Sequence, residues 1–211
     1  MNIAVLVSGG GTNLQAIIDQ IDNLALHDVT ISLTISSSHK AFALERAKAH
    51  GIPFCVVAKS DFPDFDSYDE AMLAALSGRE IDLVVLAGFL SLLGPKVVRK
   101  FSNRIINIHP ALIPSFCGYG MYGIRPHEAA LLRGVKVSGA TVHFVNEHYD
   151  EGPVLLQKCI DILPEDTPES LQLRIMKECE QVILPRAIQL IADKRVYIKD
   201  NRAYIMDKSE S

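Results

Sequence analysis

Asn107 and His109 flank a single isoleucine in Ile106-Asn107-Ile108-His109-Pro110. That spacing places an amide and an imidazole on one face of a strand. Side by side, the amide can polarise a carbonyl and the imidazole can exchange a proton near neutral pH. A histidine that merely ends a strand and bonds backbone fits the same segment, so both readings stay open. Asp150 lies in Tyr149-Asp150-Glu151-Gly152-Pro153. A carboxylate there can orient His109 and stabilise its charged form, raising its pKa. An aspartate before Glu-Gly-Pro also commonly bonds its own turn. His143, one residue out of phase with Val142 and Phe144, is an accessory candidate equally suited to a structural role.

A second cluster is Ser8-Gly9-Gly10-Gly11-Thr12-Asn13. It falls between an apolar run and residues at helical spacing (Leu14, Ile17, Ile18, Ile21), so its backbone N–H groups would face outward at the positive end of a helix dipole. That is an anion site, with Thr12 and Asn13 as added donors; a tight turn needing glycine dihedrals is the plainer alternative. The spacing is neither a dinucleotide fingerprint nor a Walker loop. Lys177 and Glu180, three apart on a late helix, fall on one face, where a solvated ion pair is the plainer reading.

These residues need elements to hold them. Asn2–Val7 reads as a buried strand and Val29–Ile35 as an alternating one. Ala41–His50 is helical and stops at Gly51, and Ile52–Val57 is a further strand. Ser67-Tyr68-Asp69-Glu70 has capping-box spacing and opens a helix to about Ser77. Ile81–Ala87 is the most apolar strand, Pro95 starts a short helix, and Arg104–Ile108 returns as a strand. Strand and helix alternate, so the expected class is α/β, a mostly parallel sheet with helices on both faces. The second half differs. Pro114–Pro126 is a loop, His127–Arg133 a short helix, and Gly139–Asn146 and Val154–Ile162 are strands. Thr167-Pro168-Glu169 starts a helix, and Asp200-Asn201 turns a terminal hairpin. Antiparallel strands are therefore expected there.

Of the 211 residues, 48% are hydrophobic and 22% charged, which suits a globular core and not a disordered chain. A formal net charge of −4 gives no bulk basic excess for nucleic acid. No stretch approaches the ~20 apolar residues of a membrane helix, and the N-terminus lacks a signal-peptide pattern. Cys55, Cys117, Cys159 and Cys179 form no Cys-x-x-Cys pair and read as reduced cytoplasmic thiols. No zinc spacing appears among the seven histidines, so no metal is expected.

Taken together, the blocks Val7-Ser8-Gly9-Gly10-Gly11-Thr12-Asn13-Leu14, Leu86-Ala87-Gly88-Phe89, Ile106-Asn107-Ile108-His109-Pro110, Gly139-Ala140-Thr141-Val142-His143-Phe144 and Asp150-Glu151-Gly152-Pro153 resemble the phosphoribosylglycinamide formyltransferase family nearly end to end. The resemblance implies one Rossmann-like domain over 1–211, with a phosphate-binding half (1–100) and a catalytic and folate-binding half (101–211). It implies transfer of a formyl group from 10-formyltetrahydrofolate, as co-substrate, to the amine of glycinamide ribonucleotide in purine biosynthesis. Asn107, His109 and Asp150 would be catalytic. Gly10, Gly11, Thr12 and Asn13 would hold the substrate phosphate, and Glu180 and Lys177 would lie at the substrate. Leu86, Phe89, Leu90, Leu92, Leu93, Val145, Asn146 and Glu147 would line the folate pocket. The partners implied are these small molecules, for a cytoplasmic monomer or weak homodimer without nucleic-acid or membrane partners.

The chain departs from the family pattern in two ways. Where the family carries arginines, it reads Pro63-Asp64-Phe65-Asp66 and Phe89-Leu90-Ser91. The loop Ser115–Pro126 is longer than the common form. Three alternatives stand beside the transferase: a 10-formyltetrahydrofolate hydrolase and a methionyl-tRNA formyltransferase of the same fold, and a non-catalytic sugar-phosphate sensor using only the glycine loop. The first rival usually has an added N-terminal domain and the second an added C-terminal one, for which this chain has no room.

Overall fold

A computed structural model of the chain describes residues 1–207; residues 208–211, part of the expected 1–211 domain, lie outside the described residues. The chain forms two compact units, Met1–Ile106 and Asn107 onward.

In the first unit, β1 (Asn2–Val7) pairs in parallel with β2 (Thr30–Ser36) and with β4 (Leu83–Leu86), and β2 pairs with β3 (Phe54–Val56). The run Ile3-Ala4-Val5-Leu6-Val7 is fully buried, as expected for a strand covered on both faces. Each large aliphatic side chain sequestered this way contributes about 1.5–3 kcal/mol. The connecting helices are α1 (Thr12–Asp22), α2 (Ala43–Ala49), α3 (Phe65–Ser77) and α4 (Pro95–Lys100). Leu14, Ile17 and Ile18 form the buried stripe of α1, at the spacing the sequence shows.

One helix start differs from the sequence reading. Ser67 does not cap α3. Asp64 does, accepting from the Ser67 N–H at 2.8 Å, so α3 begins at Phe65. Asp69, the third residue of the expected capping box, is buried and serves the next helix instead: its carboxylate accepts from the backbone N–H of Lys96 at 2.8 Å and of Val97 at 3.3 Å. A side chain at Gly94 would overlap that carboxylate, which accounts for the glycine. The Pro63-Asp64-Phe65 segment thus supplies the cap of α3.

β5 (Ile105–His109) begins in the first unit and ends in the second. In the second unit β6 (Val137–Phe144) pairs antiparallel with β7 (Val154–Asp161), and β8 (Val196–Lys199) with β9 (Arg202–Ile205) as a separate hairpin. Asp200 and Asn201 both take positive φ, at 50° and 57°, the geometry of a two-residue hairpin turn that favours these residues. α5 (Arg125–Arg133) starts two residues before the expected His127. α6 (Pro168–Ile175) starts where the sequence places it: Thr167 and Ser170 bond reciprocally as a capping box. A π-helical turn, Met176–Glu180, then leads into α7 (Gln181–Ala192). The fold is α/β, with parallel strands in the first unit and antiparallel ones in the second.

Candidate active site

The second unit gathers four polar side chains drawn from β5, β6 and the turn before β7. His109 is 3% exposed and His143 2%. His109 Nδ1 stands 3.7 Å from one Asp150 carboxylate oxygen, and His143 Nε2 stands 3.4 Å from the other. Asn107 Nδ2 lies 3.1 Å from His143 Nε2. The period-two spacing of Asn107 and His109 and the distant turn carboxylate therefore meet in one place.

The hydrogen-bond partners fix the ring protons. His109 Nε2 faces the Phe116 carbonyl at 2.9 Å. A carbonyl can only accept, so Nε2 carries the hydrogen and Nδ1 is turned to Asp150. At 3.7 Å that second approach is an electrostatic contact and not a hydrogen bond. His143 Nδ1 donates to the Phe144 carbonyl at 2.9 Å by the same reasoning. With Nδ1 protonated, its Nε2 is free to accept from Asn107 Nδ2.

Burial lowers the pKa of His109, and the charge of His143 adds to that; the Asp150 carboxylate and the Phe116 carbonyl pull the other way without prevailing. Asp150 thus raises the His109 pKa as the sequence suggests, but the net direction is down, because desolvation is the larger effect. For Asp150 burial alone would raise the pKa. The His143 side chain, the Gly118 N–H and the charges of His109 and His143 outweigh it and hold the carboxyl below its usual value. The carboxylate is ionised and His109 is poised to accept a proton once negative charge develops beside it.

Backbone of the long loop completes this cluster, and no side-chain pattern in the sequence announces it. Phe116 sits at φ 52° and Gly118 at φ 90°. A left-handed aromatic residue is strained, and such strain persists only where surrounding contacts enforce it. The turn aims the Phe116 carbonyl at His109 and brings the Gly118 N–H within 2.8 Å of Asp150 Oδ2. Thr141 Oγ1 holds the start of the loop, donating to the Ala111 carbonyl at 2.7 Å and accepting from the Ile113 N–H at 3.1 Å. A cavity of about 550 Å³ opens beside Asp150, lined by Pro114, Cys117, Gly118, Tyr149, Glu151 and Asn201 among others. Burial, then the charges of Asp150 and Glu151, push the Cys117 thiol up and keep it protonated. His127, unassigned by sequence, is fully buried on α5 with no hydrogen-bond partner at either ring nitrogen. Burial and then the charge of His109 lower its pKa to about 4.

The glycine loop lies in the first unit, between β1 and α1. Gly11 is the residue before α1, in the left-handed region at φ 70°, with Thr12 and Asn13 opening the helix. Beyond it, Leu86, Phe89 and Leu93 are buried, whereas Leu90 is 57% and Leu92 47% exposed. The Leu90 N–H donates to Ser8 Oγ at 2.7 Å, tying this segment to the glycine loop. In the second unit Val145 and Asn146 are half-buried and Glu147 is exposed at the start of the turn that carries Asp150. Lys177 and Glu180 do not share an environment as the three-residue spacing predicts. They sit in the π-helical turn, whose extra residue per hydrogen bond rotates one from the other; Lys177 is exposed and Glu180 buried.

Among the described residues no group of three or more His, Cys, Asp or Glu side chains is arranged to hold a metal ion. No helix among them is long and apolar enough to cross a membrane.

Residues 1–188 match the family described as Formyl transferase, and the chain belongs to that family. Within it, the chain is similar to the phosphoribosylglycinamide formyltransferase of Haemophilus influenzae, at 39% identity over 98% of this chain and 94% of that protein. It is 36% identical to the phosphoribosylglycinamide formyltransferase of Escherichia coli, over 97% and 93% of the two chains. Among solved structures, glycinamide ribonucleotide transformylase 1 from Symbiobacterium toebii superposes with a TM-score of 0.92, at 40% identity over 98% of this chain and 94% of that one.

Proposed function

We propose that this chain transfers the formyl group of 10-formyltetrahydrofolate to the amine of N1-(5-phospho-D-ribosyl)glycinamide, giving the N-formyl product and tetrahydrofolate in purine biosynthesis. The observation that carries the reading is the convergence of Asn107, His109 and Asp150, from separate stretches of sequence, into one buried cluster, in a chain related over nearly its full length to proteins of that name.

The primary amine attacks the formyl carbon, and the carbonyl π bond opens to an oxyanion. Asn107 Nδ2 and the His109 Nε2–H are the donors for that oxygen, and preorganised donors of this kind act where charge develops. His109 must release the Phe116 carbonyl to do so. As the charge grows His109 takes a proton from solvent at Nδ1 and returns it when the intermediate collapses; Asp150 balances the imidazolium meanwhile. One proton leaves the attacking nitrogen, is accepted by Asp150 directly or through water, and is returned to the folate nitrogen as its bond to the formyl carbon breaks. Atoms balance, and neither a serine nor a cysteine nucleophile is required.

In this reading Gly10, Gly11, Thr12 and Asn13 take the phosphate, with Glu180 and Lys177 as further substrate contacts and His143 as an accessory that orients Asn107. The exposed Leu90 and Leu92 offer apolar surface to a flat heteroaromatic ring, and Leu86, Phe89 and Leu93 are buried in the same segment. Val145, Asn146 and Glu147 supply the remaining folate contacts. The protein works as a cytoplasmic monomer or weak homodimer, in keeping with its free cysteines.

Incubation with 10-formyltetrahydrofolate, with and without glycinamide ribonucleotide, tests the assignment through the absorbance of the folate product. Amine-dependent release is expected. Release without amine would mean hydrolysis, and no release would mean that the glycine loop serves a sensor.

A further inference from the structure

The glycine loop is held from behind at three successive carbonyls. Gly9 O accepts from the Ala43 N–H at 3.1 Å, Gly10 O from Arg46 Nε at 2.8 Å, and Gly11 O from the Gln15 N–H at 2.9 Å. In a planar trans peptide the carbonyl and the following N–H point in opposite directions. Each anchor therefore turns the N–H that follows it, of Gly10, Gly11 and Thr12 in turn, away from its own anchoring group. Backbone N–H groups left unused by such anchors can line an anion-binding concavity.

Two of the three anchors are backbone groups that come with the helices. The middle one is a side chain. Arg46 is itself fixed: Nη1 donates to Gln15 Oε1 at 2.9 Å, Gln15 Nε2 donates in turn to Asp19 Oδ1 at 2.8 Å, and the guanidinium lies 5.2 Å from the centre of the Phe42 ring. The loop also packs directly on the start of α2, where a Cβ at Gly11 would come within 2.6 Å of the Ala43 Cβ.

We infer that Arg46 is a positioning residue for the substrate phosphate: it clamps the Gly10–Gly11 peptide in the orientation that presents its N–H, and sets a permanent cation behind the loop. An ammonium could replace it only in part, because two differently placed donors of one planar group serve Gly10 and Gln15. The inference rests on the reading that residues 10–13 bind the phosphate. A purely structural Arg46, tying α2 to the loop, would affect melting temperature alone.

Arg46→Met keeps the apolar stem and removes both bonds. The expected result is a KM for glycinamide ribonucleotide raised about tenfold, the size of a lost charge-assisted hydrogen bond. kcat and the KM for the formyl folate are expected within about twofold of wild type on the same reasoning. Arg46→Lys, which keeps the charge and one donor, recovers part of the loss and remains available if the methionine variant folds poorly. Titration of the wild-type protein with inorganic phosphate, followed by amide NMR, should move the Gly10, Gly11 and Thr12 signals, and Arg46→Met should weaken that response in step with KM. Unchanged phosphate affinity and KM in both variants, even with a lowered melting temperature, would overturn the inference while leaving the phosphate loop intact. Wild-type amides at residues 10–12 that ignore phosphate would overturn the loop reading and this inference with it.

Discussion

On the proposed reading the glycine loop and the histidine cluster both handle charge, by opposite physical means. The loop uses backbone N–H groups whose direction is fixed by bonds on their far side; nothing in it titrates, and its requirement is steric, a left-handed Gly11 pressed against Ala43. The cluster uses buried titratable side chains. Their protonation is a balance between desolvation, which favours neutral rings, and Asp150, which favours charged ones. The first region should therefore be sensitive to the volume of a side chain and indifferent to pH, and the second the reverse.

The largest expected effect lies in the cluster. His109→Ala and Asp150→Asn should fold yet lose turnover by about 10²–10³-fold, the usual cost of removing one preorganised donor or its partner. Circular dichroism and steady-state kinetics check this, and near-normal turnover in either variant would remove the cluster from the chemistry.

The next effect concerns pH. His127 has a folded pKa of about 4 against an ordinary 6.5, so the unfolded chain binds its proton first. Its contribution is fully present above pH 6.5 and is lost as pH falls through 4, by about 3 kcal/mol in all. His109, shifted the same way, adds to the loss. His127→Leu should be close to wild type in urea unfolding at neutral pH, since it removes unpaired buried nitrogens, and should lose distinctly less stability in acid. Parallel losses in both proteins would show that His127 is charged in the fold.

Gly11→Ala tests the loop. Strain in the left-handed region and the Ala43 contact predict about 1–3 kcal/mol of destabilisation and a raised KM for the phosphorylated substrate, with the pH profile of kcat unmoved. A shifted pH profile would erase the contrast between the two regions. Gly118→Ala gives the smallest effect and sharpens the comparison. No atom lies within 4 Å of the added Cβ, so the cost is that of an alanine at positive φ, about 1–2 kcal/mol. Because the Gly118 N–H bonds Asp150, that small change should shift the acid limb of the activity profile.

How far the sequence reached depended on whether a feature is local. β1, the Thr167 start of α6 and the Asp200-Asn201 turn are written in a few adjacent residues, and all three stand where expected. The family blocks named the cluster residues, and the structure brings Asn107, His109, His143 and Asp150 together. What the residues did not show is made by backbone or by long-range choice. Asp69 caps α4 and not its own helix; the π-helical turn separates Lys177 from Glu180; the Phe116 carbonyl and Gly118 N–H carry no side-chain signature. The net pKa of His109 escaped too, because burial is a property of the whole unit and not of the carboxylate beside the ring. Arg46 lies inside an ordinary helical pattern and becomes distinctive only when its Nε is seen on Gly10.

Following an isotopically labelled formyl carbon by NMR tests the central claim most directly. With 10-formyltetrahydrofolate and glycinamide ribonucleotide present, the label should appear in the amide of the acceptor, at a rate that Asp150→Asn nearly abolishes. A label released as formate, or transferred equally well by Asp150→Asn, would contradict the account.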